Sequence, residues 1–198
     1  MNNFEELVKA KLLPTRLEKI LSSGLSFERI FLDGYRNSNH HYGFDIPMTC
    51  PLTQKEKFAR TRKDKPGDGP KYLQPKGEEL IPFFPVLPNW KEIFDDSSID
   101  LIITEGELKA SKLVDEGFLA FSMPGVSAYG SSSFMKALNP INFKSRKIYF
   151  CFDDDIRVKP QVRKALIEFA KILNRKGAQV YEIELPCMSV VSSNQENI

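Results

Sequence analysis

Residues 100–123, DLIITEGELKASKLVDEGFLAFSM, decide the fold. Residues 100–104 (DLIIT) form a short apolar run, as expected of a strand buried on both faces of a parallel sheet. Residues 106–116 read as a helix, with Leu108, Lys112, Leu113 and Val114 spread around it and Gly117 closing it. Residues 119–123 are a second apolar strand, and Pro124-Gly125 marks the turn after it. Downstream the alternation continues. Residues 134–138 predict a short helix, and KIYFCF at 147–152 predicts a third strand. Residues 160–176 predict a long amphipathic helix with Val162, Ala165, Leu166, Phe169, Ala170 and Leu173 as its apolar stripe. Pro160 suits the first turn of that helix and Gly177 its end. Residues 179–185 predict a fourth strand. Strands alternating with helices argue for an α/β fold with a parallel sheet. The polar stretch after Pro186 predicts disorder.

Upstream the pattern differs. Residues 3–23 carry apolar residues at helical spacing, broken near Pro14, and residues 27–32 predict a short helix ending at Gly34. Residues 36–42 are polar and read as a loop. From 43 to 88 prolines are frequent and apolar runs are short. Residues 44–47 and 57–62 predict strands of a small antiparallel sheet, DKPGDGP at 64–70 predicts turns, and 81–86 is a further extended run. The division expected is a helical segment at 1–42, a basic β-rich subdomain at 43–98, the parallel-sheet domain at 99–187 and a tail at 188–198.

In an open parallel α/β sheet, ligands bind beyond the carboxyl ends of the strands. The first strand of the parallel unit ends there in Glu105-Gly106, and the third in Asp153-Asp154-Asp155. If these strands are neighbours, Glu105, Asp153 and Asp155 can meet around one cation, with Asp154 turned away. Three consecutive aspartates repel one another, and a cation compensates. Hard oxygen ligands without nearby His or Cys suit Mg²⁺ or Mn²⁺. Gly106 lets the backbone approach a ligand where free helix N–H groups favour phosphate. The competing reading makes these acids ordinary loop and helix N-terminal charges.

Bulk properties narrow the setting. The chain has 198 residues, of which 41% are hydrophobic and 27% charged, and a net charge of +2. Near-neutrality excludes a global field for nucleic acid, so any basic surface must come from local clustering. Such a cluster exists: Lys55, Lys57, Arg60, Arg62, Lys63, Lys65, Lys71 and Lys76, with Tyr72 among them. It suits a nucleotide or single-strand groove; the alternative is a solvated sheet edge protected by lysines. Arg157, Lys159, Arg163 and Lys164 flank the Asp cluster, either leading a polyanion to it or balancing its charge. Cys50, Cys151 and Cys187 are widely spaced, fitting a reducing cytoplasm, and His40-His41 match no zinc spacing. No run approaches a membrane span, and the N-terminus has no apolar signal segment. Trp90 with Phe83, Phe84 and Phe94 reads as packing.

The segment 104–130 (TEGELKASKLVDEGFLAFSMPGVSAYG), with RKIYFCFDDD at 146–155 and QVYEIELP at 179–186, resembles a Toprim domain, the catalytic module of bacterial primases, topoisomerases and related nucleases. The family's Glu-Gly after strand one is matched by Glu105-Gly106, and its Asp-x-Asp after strand three by Asp153-Asp154-Asp155. The resemblance implies that the three acids hold Mg²⁺ or Mn²⁺ and that Glu105 has the role that, in some members of the family, includes proton transfer. Residues 44–47, 57–62 and GDGPKYLQPKGEE at 67–79 resemble the subdomain that precedes Toprim in bacterial-type primases, and 23–38 resembles the entry of plasmid and mobile-element primase-like proteins. This implies that Arg60, Arg62, Lys71 and Tyr72 contact nucleotide phosphates or template. It also implies single-stranded DNA or RNA and nucleotides as partners, a helicase or other replication protein as a further one, and primer synthesis in plasmid, phage or mobile-element replication. The sequence departs from the family at Lys109, where bacterial primases carry an Asp. That cation has two expected uses, binding substrate phosphate or pairing with Glu105 one turn earlier. Ile156-Arg157 follow the Asp cluster where small residues are usual, and no zinc module or Walker-type loop is present. A Toprim nuclease and a non-catalytic nucleic-acid-binding module remain the alternatives.

Overall fold

The computed structural model of the chain describes residues 3–65, 67, 69–153 and 159–183. Two four-stranded sheets organise it. Helices α1 (Phe4–Lys9), α2 (Pro14–Leu21) and α3 (Phe27–Leu32) come first. The separation of α1 from α2 falls just before Pro14, which supplies the first residue of α2 because its missing N–H has no partner there in any case. Ser26 caps α3 by accepting from the Arg29 amide.

The first sheet is an antiparallel meander of β1 (Arg36–Asn37), β2 (Gly43–Thr49), β3 (Glu56–Lys63) and β4 (Tyr72–Leu73). The segment 36–42 is thus not wholly a loop, since Arg36 and Asn37 pair with Asp45 and Phe44. Alternation decides which side chains turn inward. Phe44 faces Arg62 across the ladder, Ile46 faces Arg60 and Met48 faces Phe58. All six side chains therefore share one face of the sheet. Phe44, Ile46, Met48 and Phe58 join the core made with α1–α3. Arg60 and Arg62 are carried inward by the same periodicity and are buried.

The second sheet is parallel, with β5 (Leu101–Glu105), β6 (Ala120–Met123), β7 (Lys147–Cys151) and β8 (Gln179–Glu182) in the order β6-β5-β7-β8. Helix α5 (Glu107–Asp115) connects β5 to β6. Helix α6 (Ser132–Ala137) precedes β7, and α7 (Pro160–Arg175) crosses to β8. The buried residues of α7 are Ala165, Leu166, Phe169 and Leu173, within the stripe expected from the sequence. The run 81–86 does not extend the antiparallel sheet. Phe83 instead exchanges two backbone hydrogen bonds of 2.9 Å with Ser122 on β6, covering that edge of the parallel sheet.

Helix α4 (Trp90–Asp95) was not expected. Trp90 is buried beside Phe84 and Phe94 and donates from Nε1 to the Pro85 carbonyl at 2.7 Å. The end of α4 is held by Arg146, which is fully buried. Its guanidinium donates to the carbonyls of Ile93, Phe94, Asp96, Ile99 and Asn142 at 2.7–3.0 Å. Those carbonyls include the orphan acceptors of a helix C-terminus, where a cation is favourable.

The two sheets meet through α5. Leu108 and Ala110 pack into the core of the N-terminal half, although α5 belongs in sequence to the parallel sheet. Ser111 donates to Asp33 at 2.6 Å, so the Tyr35 hydroxyl, 2.8 Å from Ser111, is the donor to it. Asp33 also accepts from Arg29 and from the Val86 amide, both at 2.7 Å. No described helix is long and apolar enough to cross a membrane.

Candidate functional site

Strands β5 and β7 are parallel neighbours, with Thr104 beside Cys151. The chain therefore delivers Glu105 and Asp153 to one end of the sheet, one and two residues past the last pair between β5 and β7. Gly106 follows with φ 90°, a conformation that strains any L side chain, and α5 starts immediately after it. Asp155, the third acid expected in the cluster, lies outside the described residues, as do Asp154 and Arg157. Among the described residues no group of three His, Cys, Asp or Glu side chains converges. The described part of the set is thus two carboxylates, which suit a hard divalent cation. Cys151 sits nearby, half-buried, and burial pushes its thiol above the ordinary cysteine value.

Lys109, for which binding phosphate or pairing with Glu105 were the two expected uses, has Asp153 as a partner. Its ammonium is ion-paired with Asp153, across the gap between α5 and the end of β7. Both groups are about half exposed, at 46% and 59%. One helical turn on, Lys112 projects from the same face of α5.

Opposite these strand ends stands the inward face of the antiparallel sheet. Between the two walls lies a cavity of about 620 Å³. Arg62, Lys71 and Tyr72 line one side, and Glu105, Gly106, Lys109, Lys112 and Asp153 the other. Arg62 is 8% exposed, yet its Nε and Nη1 have no hydrogen-bond partner among the described residues. Its guanidinium lies 5.6 Å from the centre of the Phe44 ring. Burial lowers the Lys71 ammonium below the ordinary lysine value, and the positive charges of Arg62, Lys19 and Lys109 lower it further. The wall thus concentrates cations that destabilise one another, the electrostatic condition for holding an anion.

Arg60 stands apart from the other expected contacts. It does not line the cavity. It is buried against Glu107, the first residue of α5, in an ion pair that joins β3 to the helix start. Its guanidinium also lies 5.2 Å from the centre of the Tyr72 ring, so that ring already has a cation on it. Burial, and next the Glu107 charge, raise the Tyr72 phenol above its usual value. Glu107 was missed from the sequence. An acid directly after Glu105-Gly106 reads as a helix N-terminal charge, and its counter-ion is 47 residues away. Arg163, expected near the acids, lines a separate groove with Ile167 and Tyr181.

A family model described as a domain of unknown function (DUF3854) matches residues 89–190. No curated protein matches the sequence. Among solved structures, the chain is similar to a DnaG primase catalytic domain bound to single-stranded DNA, with a TM-score of 0.60 and 16% identity over 94% of this chain and 70% of that one. It is also similar to the Aquifex aeolicus primase, zinc-binding and RNA polymerase domains, with a TM-score of 0.57 and 14% identity. That match covers 92% of this chain and 54% of the primase, so the chain spans about half the length of that structure. The fold is therefore that of a primase catalytic domain, a parallel sheet flanked by helices and preceded by a smaller α+β unit.

Proposed function

The chain belongs to the DUF3854 family, and we propose that it is a Mg²⁺-dependent primase-like protein that transfers nucleotidyl groups onto a primer on a single-stranded template. One observation carries this reading: a buried arginine, two of whose nitrogens have no hydrogen-bond partner among the described residues, lines one cavity with two strand-end carboxylates. A nucleotide needs both halves, because its phosphates carry the negative charge and its reacting phosphorus needs a divalent cation. The similarity to a primase catalytic domain bound to single-stranded DNA supports the choice of polymer.

Glu105, Asp153 and Asp155 would hold Mg²⁺ or Mn²⁺. The bound ion would neutralise charge on the phosphate and lower the pKa of the attacking hydroxyl. The remaining work falls to this chain. Arg62 and Lys71 bind and orient the phosphates, Arg62 through N–H groups that need no other acceptor to be broken first. Gly106 keeps the start of α5 free of a side chain, so a phosphate can approach the backbone there. Arg60 and Glu107 set the spacing of the two walls. Tyr72, gripped by Arg60 and beside Lys71, stiffens the basic wall and offers its remaining edge to a base.

The test is an assay with single-stranded DNA, NTPs or dNTPs, and Mg²⁺ or Mn²⁺, comparing the chain with Asp153→Ala. Primer products from the parent and none from the variant are expected. Strand cleavage lost in the variant would instead assign a nuclease. Binding of single strands unchanged by metal and by Asp153→Ala, with no product from either, would reduce the protein to a binding module of a replication or mobile-element system.

A further inference from the structure

The ion pair between Lys109 and Asp153 has a consequence beyond nucleotidyl transfer. We infer that Lys109 is a resident cation of the acidic site, occupying Asp153 in the absence of metal, so that a divalent ion binds only by displacing it. This rests on the reading of Glu105 and Asp153 as metal ligands.

Lys109 sits four residues after Glu105, at the end of the first turn of α5, and reaches across to the strand that follows β5 in the sheet order. Asp153 is the described carboxylate on that strand end, and it accepts the Lys109 ammonium directly. A lysine ammonium is a compact point charge, closer in kind to a metal ion than a guanidinium is, and it sits on a flexible stem that lets it leave. With both groups half exposed, the pair is weakly held, and a divalent ion can outcompete it. The competition still has a cost in affinity. A cation close to the metal position repels the incoming double charge, and Asp153 must give up a partner.

Displacement also gives Lys109 somewhere to go. It lines the same cavity as Arg62 and Lys71, and its charge already acts on Lys71. Released from Asp153, the ammonium adds a third cation to the phosphate wall when metal arrives. Metal and polyphosphate are then favourably coupled through one side chain with two partners.

The measurement is Mn²⁺ binding to the full chain, followed by loss of the free-ion electron paramagnetic resonance signal, for the parent, Lys109→Met, Lys109→Gln and Asp153→Asn. Thermal melting establishes that each variant is folded. Both Lys109 variants are expected to bind Mn²⁺ about five- to tenfold more tightly than the parent, the size of removing one partly exposed like charge near a divalent ion. Asp153→Asn is expected to weaken binding. Equal or weaker binding by folded Lys109 variants, with the parent binding, would overturn the role of Lys109 and leave the metal site standing. No binding by the parent or by either Lys109 variant at millimolar Mn²⁺ would overturn the metal site itself, and this inference with it.

Discussion

Replacing Glu107 by alanine should destabilise the fold strongly. Glu107 is 1% exposed and Arg60 8%, and each is the other's ionic partner. Arg60 Nε already lacks a hydrogen-bond partner among the described residues. Removing the carboxylate leaves a guanidinium in the interior with the Tyr72 ring as its main compensation. Breaking a buried pair from one side costs about 3–5 kcal/mol, because the uncompensated charge stays behind. For a chain of this size each kcal/mol moves the melting temperature by about 2–4 °C, so Glu107→Ala should melt roughly 6–20 °C lower. The assay is thermal unfolding by circular dichroism, with urea denaturation as the equilibrium check. The double variant Arg60→Met/Glu107→Leu sharpens it. Replacing both charges by apolar groups of similar volume should recover most of the loss, since no charge is then stranded. A fall of less than about 2 °C for Glu107→Ala would refute the reasoning, because under about 1 kcal/mol is the worth of a surface pair. A double variant no better than the single one would show that packing, not charge, is what Glu107 supplies.

Arg146→Ala should be as damaging, by about 3–5 kcal/mol, since five carbonyls lose a charged donor at once; thermal unfolding measures it, and Arg146→Lys should rescue only partly, one ammonium being unable to reach all five. The Lys71 ammonium is held below the ordinary lysine value by burial and by Arg62, Lys19 and Lys109. A lysine is charged below its pKa, so affinity for inorganic triphosphate should start to fall in alkaline solution below the usual lysine value of about 10.4. Lys71→Arg should flatten that loss, because arginine stays charged throughout; titration calorimetry across the alkaline range, with a matching slope in both proteins, would contradict it.

The parallel sheet was legible because its strands are short, apolar and bounded by turn formers, and its longest helix carries a complete apolar stripe. Helix α4 was not, for a physical reason. Its six residues include Trp90, Ile93 and Phe94, none a strong helix former, and they follow closely on Pro85 and Pro88. What makes it a helix is remote: the core that buries its aromatic side chains and the Arg146 guanidinium on its last carbonyls. Strand β1 escaped in the same way, as two polar residues become a strand only by pairing with β2. The candidate site divides along a similar line. Motif order gave Glu105, Gly106 and Asp153 at adjacent strand ends, because topology alone takes them there. It also gave Arg60 and Arg62 as one basic strand. Alternation puts both on the inward face, and which of them meets a cavity and which a counter-ion depends on where α5 docks. Only Arg62 meets the cavity.

That docking explains why the site can be rigid although it lies between two sheets. Helix α5 packs on the parallel sheet and is also fixed along its length to the N-terminal half. Glu107 holds Arg60, Leu108 and Ala110 fill the core, Ser111 joins Asp33 and Tyr35, and Asp115 accepts from Ser26 through both its amide and its hydroxyl at 2.7 Å. Lys109 and Lys112, one turn apart, line the cavity. The helix cannot slide without stranding buried polar groups, each of which costs about 1–3 kcal/mol unpaired. The distance from Arg62 and Lys71 to Glu105 and Asp153 is therefore set by the fold and not by the ligand. A site with one cationic wall and carboxylates on the other gains most from a ligand that offers anionic oxygens to the first and a cation to the second. A polyphosphate with its divalent ion has that form: anionic oxygens for the arginine and lysine, and a cation for the carboxylates.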